Sequence, residues 1–497
     1  MMSLSQPTSS FNLWANLPDS LLLRIFGLLS PKDIIHGSEV CRNWYRVSRD
    51  ELLWKHLLQS HSDIGVQDIL GLLRAPTWLE EFKWIHLNTP LIESQVLKMH
   101  TDEVLHVAFS HDGQLMASSS KDCSVIVWLI SDDCRFNSKD TCKINFAEHH
   151  NWDYVQLTEF NSNDTLLLVS GTKKIRGINF MGEIIIFNIE KENTLGVQLI
   201  HEVESVPYDV YGAWLTERSY ISGKFEFAPS GADHTSVSEL CLNYVDKPDY
   251  QTTLAQVIDY NCSSVRTLLV AKPLGSQEND KFCLIFTHGT LNYVPHQIML
   301  RWIQRKTFTD NFGIDQDLWQ TLEEHCIETS GHINGMKLSL DQQYLYVNCR
   351  RWQWQDEKPK AESRSQDSPP DISNDITMQV YSLSTYEMVN VHFGHQAFTG
   401  NDACFFIFLS VADRLVASGA EDRHAHVWHR CGGSKLATLK GHVNVVNCVA
   451  FSPANQQMLV SASDDHTIRV WKSRQLARLH KDDQPEQQRD LFRESTL

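Results

Sequence analysis

The spacing of apolar residues divides the chain into two parts with different predicted secondary structure. Between residues 16 and 58, apolar residues recur every three or four positions, which is the period of an amphipathic α-helix. Asn16 with Pro18, and Ser30 with Pro31, are helix start signals, because a capping side chain followed by proline is typical of an N-terminus. From residue 93 onward, period-two alternation and turn-forming residues replace this pattern. The sequence therefore predicts a small all-α unit followed by a large all-β unit.

Changes in composition and in apolar spacing set the limits of these units. Trp78, Phe82 and Ile85 continue a helical spacing after the first unit, and Pro90 would end that helix. A polar stretch rich in serine and proline has the composition of a disordered insert within the β unit. We predict a disordered N-terminus, an all-α unit, a helical linker, a β unit with an insert, and a polar tail at residues 1–12, 13–60, 61–92, 93–476 (insert 352–376) and 477–497.

The β unit contains an internal repeat. Three segments share a serine, an aspartate four residues later and a tryptophan six residues after that, and a histidine precedes each segment. The last two histidines are 47 residues apart, close to the period of about 40–45 residues that is typical of a WD repeat. The repeated residues are His100, Ser118, Asp122 and Trp128; His395, Ser418, Asp422 and Trp428; and His442, Ser461, Asp465 and Trp471.

Repetition favours a structural role for these residues. A serine–histidine–aspartate triad is the catalytic alternative, but an enzyme needs its nucleophile only once. In WD-repeat families, which the pattern resembles, the four residues form a hydrogen-bonded network that fixes the turns of each blade. Weaker repeats between the strong ones bring the predicted blade number to seven. The segment 93–98 parallels 435–440 and is predicted to be the outer strand of the last blade, which closes the ring and removes exposed strand edges.

Composition and charge exclude several classes of protein. The formal net charge is −17, which disfavours nucleic acid or an anionic membrane surface as a partner. No apolar run approaches the ~18 residues of a membrane span, and the 12 cysteines include no CxxC pair, as expected for a reduced intracellular chain. We expect a cytoplasmic protein, with a nuclear or centrosomal pool as the alternative.

Candidate chemistry is weak. His424, His426, His429 and Cys431 resemble a metal cluster, but a turn and a strand would splay these ligands apart. No phosphate-binding loop, zinc-protease motif or nucleophile elbow occurs. The sequence therefore predicts no catalytic residue, no metal site and no cofactor.

The N-terminal helices resemble an F-box. They fit the pattern LPxxLLxxIFxxLxPxDxxxxxxVCRxWxxxSxDxxLW over about 38 residues, beginning at Leu17. This resemblance implies that apolar side chains dock on the Skp-type adaptor of a cullin–RING ubiquitin ligase; the alternative is a helical cap packed on the rest of the chain. The residues assigned to adaptor binding are Leu17, Pro18, Leu21, Leu22, Ile25, Phe26, Val40, Cys41, Trp44 and Trp54.

The whole chain resembles the F-box/WD-repeat family, most closely its protein 5 type. Segments such as YDVYGAWLTE, LNYVPHQI and DQQYLYVNCRRW carry this likeness and are not generic WD patterns. The family fold is an all-β seven-bladed WD-repeat propeller with a small all-α N-terminal F-box and a helical linker. The likeness implies a non-catalytic receptor subunit of an E3 ubiquitin ligase, whose propeller binds client proteins for ubiquitination and proteasomal degradation. Known members carry a long insert where this chain has only Gly275–Asp280.

Two other functions remain open from the sequence. One is a non-degradative WD-repeat scaffold. The other is a receptor that works mainly through a cullin-four ligase and its damaged-DNA-binding adaptor, which favours a Trp-Asp-x-Arg motif after a blade. Trp471 and Arg474 are the candidates for that motif, although the aspartate is missing.

Overall fold

The computed structural model describes most of both units. The described residues are 14, 16–61, 74–148, 150–175, 178–191, 195–206, 211–227, 235–260, 265, 267–272, 280–289, 291, 294–309, 315–353, 369–401 and 406–480. The predicted disordered N-terminus, most of the predicted insert, the segment 275–279 and the end of the polar tail lie outside them. None of the described helices is long and apolar enough to span a bilayer.

The described part of the N-terminal unit contains five helices: α1 (Asp19–Phe26), α2 (Pro31–Ser38), α3 (Arg42–Val47), α4 (Glu51–His61) and α5 (Trp78–Asn88). Ser30 caps α2 as predicted, because its hydroxyl accepts a hydrogen bond from the backbone N–H of Asp33 at 3.2 Å. The prediction for α1 was wrong in detail. Pro18, not Asn16, precedes the first helical residue, and it supplies no side-chain cap.

One apolar core joins all five helices. Phe26 and Trp54 are almost completely buried, and the rings of Trp54 and Phe82 lie 5.2 Å apart between centroids. Phe82 and Ile85 belong to α5, so the predicted linker helix completes the core of the N-terminal unit. Four helices of this length alone would leave much of this apolar surface exposed.

The β unit is a propeller of seven four-stranded antiparallel sheets within the described residues. Blades one to three consist of β2 (Val104–Phe109), β3 (Leu115–Ser120), β4 (Ser124–Ile130) and β5 (Phe136–Asn145); β6 (Trp152–Phe160), β7 (Leu166–Ile175), β8 (Ile178–Glu190) and β9 (Gly196–Ser205); and β10 (Ala213–Thr216), β11 (Ser219–Phe227), β12 (Thr235–Tyr244) and β13 (Lys247–Tyr260). Blades four to six consist of β14 (Leu268–Ala271), β15 (Lys281–His288), β16 (Gln297–Thr309) and β17 (Asp315–Glu328); β18 (Gly331–Leu338), β19 (Tyr344–Trp352), β20 (Ile372–Ser382) and β21 (Met388–Gln396); and β22 (Leu409–Val411), β23 (Leu415–Ser418), β24 (His424–His429) and β25 (Lys435–Lys440). Blade seven consists of β26 (Val446–Phe451), β27 (Met458–Ser463), β28 (Ile468–Ser473) and β1 (Pro90–Leu97), and helix α6 (Arg474–Leu479) follows.

Ring closure by the start of the β unit is confirmed. β1 pairs antiparallel with β28, with Glu93 opposite Trp471 and Leu97 opposite Ile468. Glu93 also forms an ion pair with Arg469 across the two strands. The last blade therefore has its fourth strand, and β1 covers the edge of β28 that would otherwise be unpaired.

Three predicted boundaries were wrong by a few residues. The strand β1 begins at Pro90 rather than at 93, so the helical linker ends at Asn88. The insert is narrower than predicted, because β20 resumes at Ile372. The polar tail begins with α6, whose Leu476 and Ala477 are buried, so the chain is not loose from residue 477.

Candidate functional site

Blade one brings its four repeated residues together. His100 places Nδ1 at 3.0 Å from Asp122 Oδ2 and Nε2 at 2.9 Å from Ser118 Oγ. The indole N–H of Trp128 donates to the same hydroxyl at 3.0 Å. Burial opposes ionisation of Asp122, but hydrogen bonds from His100 and from Ser124 outweigh it and lower the pKa of the carboxyl. The network therefore fixes the connection that contains His100 and the turn that contains Asp122 to strand β3, which carries Ser118.

Blade seven has the same arrangement. His442 lies 2.8 Å from both Asp465 Oδ2 and Ser461 Oγ, and Trp471 Nε1 donates to that hydroxyl at 2.8 Å. Burial again opposes ionisation of Asp465, and the hydrogen bond from His442 again lowers the pKa of the carboxyl. Every member of the network has a hydrogen-bond partner within the network, so the geometry indicates a structural role for these residues.

The network predicted for blade six does not form, which corrects the sequence interpretation. Asp422 is paired with His426, whose Nε2 lies 2.9 Å from Oδ2, and not with His395. The indole N–H of Trp428 donates instead to the carbonyl of Phe393 at 2.8 Å.

A competing histidine is the physical reason. His426 follows Asp422 by four residues, at the place where blade one has Ile126, and it occupies the carboxylate. His395 Nε2 lies 3.4 Å from Asn348 Oδ1, and the Asn348 amide donates to Ser418 Oγ at 2.8 Å. His395 and Ser418, which were predicted to bond each other, thus both contact the side chain of Asn348 from blade five.

The histidine-rich segment of blade six is divided between two environments. The rings of His424 and His426 are stacked with centroids 6.3 Å apart. His429 is fully buried with Nε2 at 3.7 Å from Glu81 Oε1, and Cys431 Sγ lies 2.8 Å from Arg74 Nη2. Across the described residues, no group of three or more His, Cys, Asp or Glu side chains is arranged to hold a metal ion.

The residues predicted to bind the adaptor fall into three groups by exposure. Leu22, Phe26 and Trp54 lie in the core of the helical unit, so their assignment to a binding surface was wrong. Pro18, Leu21 and Val40 are exposed, the last two by 46% and 63%. Four others are partly exposed: Leu17, Ile25, Cys41 and Trp44. Sequence reasoning did not assign four further exposed apolar side chains of this unit to the surface: Trp14, Leu28, Tyr45 and Leu52.

Helix α5 connects the helical unit directly to blade six. Glu81 is completely buried, accepts hydrogen bonds from the backbone N–H groups of Arg74 and Ala75, and forms an ion pair with Arg414. The guanidinium of Arg414 also lies 3.8 Å from the ring of Trp84. We call Glu81, Trp84 and Arg414 the junction. The salt bridge between Arg414 and the buried carboxylate, together with the cation–π contact between Arg414 and Trp84, leaves the helix little freedom to move.

The predicted motif for the cullin-four adaptor also contacts the chain itself. Trp471 is buried in the blade-seven network, and Arg474 donates to the carbonyl of His86 in α5 at 3.0 Å. The structure does not present these two side chains together at an open surface.

The two ends of the ring have different surroundings. Antiparallel strands place alternate connections at opposite ends of a sheet. The linker end includes Ala412–Arg414 and Cys431–Ser434 and carries α5 and α6. The distal end includes the connections 397–401, 419–423 and 441–445, at the opposite ends of the same strands.

A cavity of about 440 Å³ lies on the ring axis, lined by the innermost strands. It contains His106 and Cys448. Burial, then the charge of Lys337, lowers the pKa of His106 to about 3, and burial raises the pKa of the Cys448 thiol to about 12. Near neutral pH both groups are uncharged, so neither a thiolate nor a histidine base is poised there.

Comparison with known proteins agrees with this geometry. The family model F-box-like matches residues 14–60, and the WD domain, G-beta repeat model matches residues 92–128 and 433–472. The chain is 33% identical to F-box/WD repeat-containing protein 5 of Mus musculus over 93% of this chain and 94% of that protein. The Homo sapiens protein of the same name is also 33% identical, over 92% and 94%. A WD repeat-containing protein 26 homolog of Arabidopsis thaliana is 25% identical over 77% of this chain and 50% of its own.

The two matched models fall on the two structural units. The exposed apolar residues of the first unit and the two complete hydrogen-bonded networks of the second lie inside the matched ranges. The identity to the mouse, rat and human proteins extends over nearly the whole chain. The chain belongs to the F-box/WD repeat-containing protein 5 family.

Proposed function

We propose that this protein is the substrate-recognition subunit of a cullin–RING E3 ubiquitin ligase. The F-box docks on a Skp-type adaptor, and the propeller binds client proteins so that they are ubiquitinated and then degraded. The observation that carries this proposal is the exposed apolar surface of an F-box whose own core is already complete.

The adaptor surface is made of side chains that the F-box does not need for folding. Pro18, Leu21 and Val40 are exposed, whereas Leu22 and Phe26 fill the core. A cluster of exposed apolar side chains on a soluble unit is typical of a protein-binding surface. Helix-in-groove docking uses such side chains as its apolar contacts.

The junction supports a receptor role for the propeller. Because Glu81 and Arg414 hold α5 against blade six, the F-box and the linker end of the ring have a fixed mutual position. A client bound at the distal end would then stand at a defined distance from the adaptor. A receptor needs such a distance, since ubiquitin transfer requires the client to reach the rest of the ligase.

The experiment that tests the proposal is binding of the purified chain to a Skp-type adaptor. The double variant Leu21→Asp with Val40→Asp should lose binding at least about tenfold, because truncated interface contacts of this kind often cost 2 kcal/mol or more. Val443→Asp is the matched control, since Val443 is also an exposed apolar residue but lies at the distal end. Adaptor affinity of the double variant equal to that of wild type would contradict the proposal and favour the non-degradative scaffold.

The cullin-four alternative is tested in the same assay with the damaged-DNA-binding adaptor. Arg474 would have to leave the carbonyl of His86 to be read by that adaptor. We propose that this adaptor binds more weakly than the Skp-type adaptor, and the reverse order of affinities would overturn that ranking.

We also propose that the protein works in the cytoplasm, with a nuclear or centrosomal pool as the alternative. The ten described cysteines are all free thiols, and half of them are only partly buried, which suits a reducing compartment. Microscopy of the tagged full chain tests this location.

A further inference from the structure

Two apolar side chains at the distal end stand side by side in solvent. Phe398 is 56% exposed and Val443 is 72% exposed. They line one shallow notch together with Arg423 and Asn444. We call Phe398, Arg423 and Val443 the distal patch. Large apolar side chains clustered in this way and rimmed by polar groups mark interaction sites.

The connection that carries Phe398 is held firmly from beneath. Glu421 is buried, and its carboxylate accepts hydrogen bonds from the backbone N–H groups of Phe398 at 2.6 Å and Thr399 at 2.9 Å. The guanidinium of Arg350 donates to the carbonyl of Thr399 from the other side. The exposed ring therefore stands on a fixed backbone, and a partner would pay little ordering entropy to bind it.

The backbone at Val443 is held by a different hydrogen bond. Its backbone N–H donates to Asp465 Oδ2 at 3.2 Å, and the same carboxylate is held by His442 in the blade-seven network. The side chain is β-branched and has few rotamers to lose on binding. Both apolar members of the distal patch are thus presented by buried carboxylates.

The charge of the distal patch selects its partner. Arg423 is exposed in a tight turn with φ of 71°, and among the described residues it makes no ion pair. Two carboxylates line the same notch: Glu421 accepts hydrogen bonds from the backbone of the Phe398 connection, and Asp422 lies 2.9 Å from His426 Nε2. A guanidinium that shares a notch with two apolar groups complements a carboxylate that follows an apolar side chain. Phosphate recognition uses clusters of arginines, whereas the distal patch contains a single arginine, Arg423.

We propose that the distal patch docks an extended, unphosphorylated segment of a client that carries a bulky apolar side chain close to an aspartate or glutamate. The inference deepens the proposed function and rests on it, because it names the class of client for the same receptor. Phe398 and Val443 contact the apolar side chain, and Arg423 pairs with the carboxylate.

The test is selection of a phage-displayed library of short random peptides against the immobilised full chain. The selected peptides should be enriched in a large apolar residue near an acidic one. Their affinity should fall at least about tenfold with Phe398→Ala or Arg423→Asp, as for interface contacts that are fully used. Aspartate is chosen because it tolerates a positive φ better than most residues. Leu340→Asp is the control, since Leu340 is equally exposed but lies at the linker end.

Each outcome decides the inference. Replacing the acidic residue of a selected peptide by lysine should abolish binding to wild type and restore it with Arg423→Asp. Absence of enrichment, or equal affinity for the Phe398→Ala variant, would overturn the proposal. A peptide with phosphoserine in place of the acid that binds ten times more tightly would overturn the choice of carboxylate. Adaptor binding is measured on the same samples, so that loss of the peptide site and failure of the receptor role give separate results.

Discussion

The carboxylate of Glu81 and the guanidinium of Arg414 form an ion pair across 333 residues of chain. Glu81 has no exposed surface, and only a small part of Arg414 reaches solvent. The pair ties the linker helix α5, which completes the core of the N-terminal unit, to the sixth blade. The F-box and the propeller are therefore connected by packing as well as by the chain.

We expect Glu81→Gln to destabilise the protein by about 3–5 kcal/mol, because removing one partner leaves the charge of Arg414 uncompensated in a mostly buried site. Denaturant unfolding measures the change, and hydrogen exchange in residues 78–88 reports its location. The exposed pair between Asp19 and Arg46 is the control. Asp19→Asn should change the stability much less, because solvent screens an exposed pair. Equal effects of the two substitutions would show that the junction contributes nothing special.

Phe26→Ala should unfold the F-box, not merely weaken adaptor binding. The side chain is completely buried, and its ring lies 5.5 Å from that of Trp44 between centroids. Loss of a buried phenylalanine costs about 3–5 kcal/mol. The measurement is the helical circular dichroism signal during thermal unfolding. Leu28→Ala, at an almost fully exposed position of the same region, should change that signal little, and a comparable loss there would refute the core assignment.

Asp465→Ala and Asp122→Ala should each destabilise the propeller by about 1–3 kcal/mol, because buried donors lose their acceptor. Asp422→Ala is the matched control, since its carboxylate serves His426 and not a complete network. Its effect should be smaller, about 0.5–1.5 kcal/mol for the loss of ordinary hydrogen bonds. Thermal melts of the three variants test this order. A larger loss of stability for Asp422→Ala than for the other two variants would contradict it.

Acid should destabilise blades five and six through a buried neutral histidine. Burial lowers the pKa of His392 to about 4, while the unfolded value is about 6.5. As the pH falls below about 6.5, the unfolded chain binds the proton first, so the free energy of unfolding decreases until the pH reaches the folded pKa. His392→Phe should remove about 1 kcal/mol of the difference in stability between about pH 7.5 and about pH 5.5.

Urea unfolding at the two pH values measures that difference. His36, exposed on α2, is the control position. If His392→Phe leaves the pH dependence as in wild type, or if His36→Phe changes it equally, the acid sensitivity has another source.

Loss of β1 should open the ring. A chain beginning at Lys98 lacks the strand, whereas one beginning at Pro90 keeps it and lacks the segment that contains α1 to α5. The missing pairing is worth several hydrogen bonds at a net ~0.5–1.5 kcal/mol each, and the exposed edge of β28 invites association. Size-exclusion chromatography and thermal melting compare the two chains. Equal stability and a monomeric state for both would contradict closure by β1.

Sequence reasoning succeeded where the signal is local and repeated. The networks of His100 and His442 follow from residues at fixed spacing within one blade, and the pairing of β1 follows from likeness between two short segments. It failed for Asp422, because the carboxylate pairs with His426 instead. The repeat motif does not define the residue at position 426, so the motif could not predict this competing partner.

Other features depend on contacts between distant parts of the chain. No spacing rule connects Glu81 with Arg414, or Arg474 with the carbonyl of His86. Exposure of Leu21 and burial of Leu22 likewise depend on how the helices pack around one core. Patterns of apolar residues identify the face of a helix, and only packing decides which part of that face remains open.

The closing joint of the ring also determines the order in which the protein can be completed during synthesis. Glu93 and Arg469, which face each other across that joint, are 376 residues apart. The ribosome releases the first strand long before its partner exists, since chains grow at about 5–20 residues per second. Until β28 of the last blade has been synthesised, β1 has no strand to pair with. A transcript cut short near its end would therefore yield an F-box that can still fold, attached to a ring that cannot close.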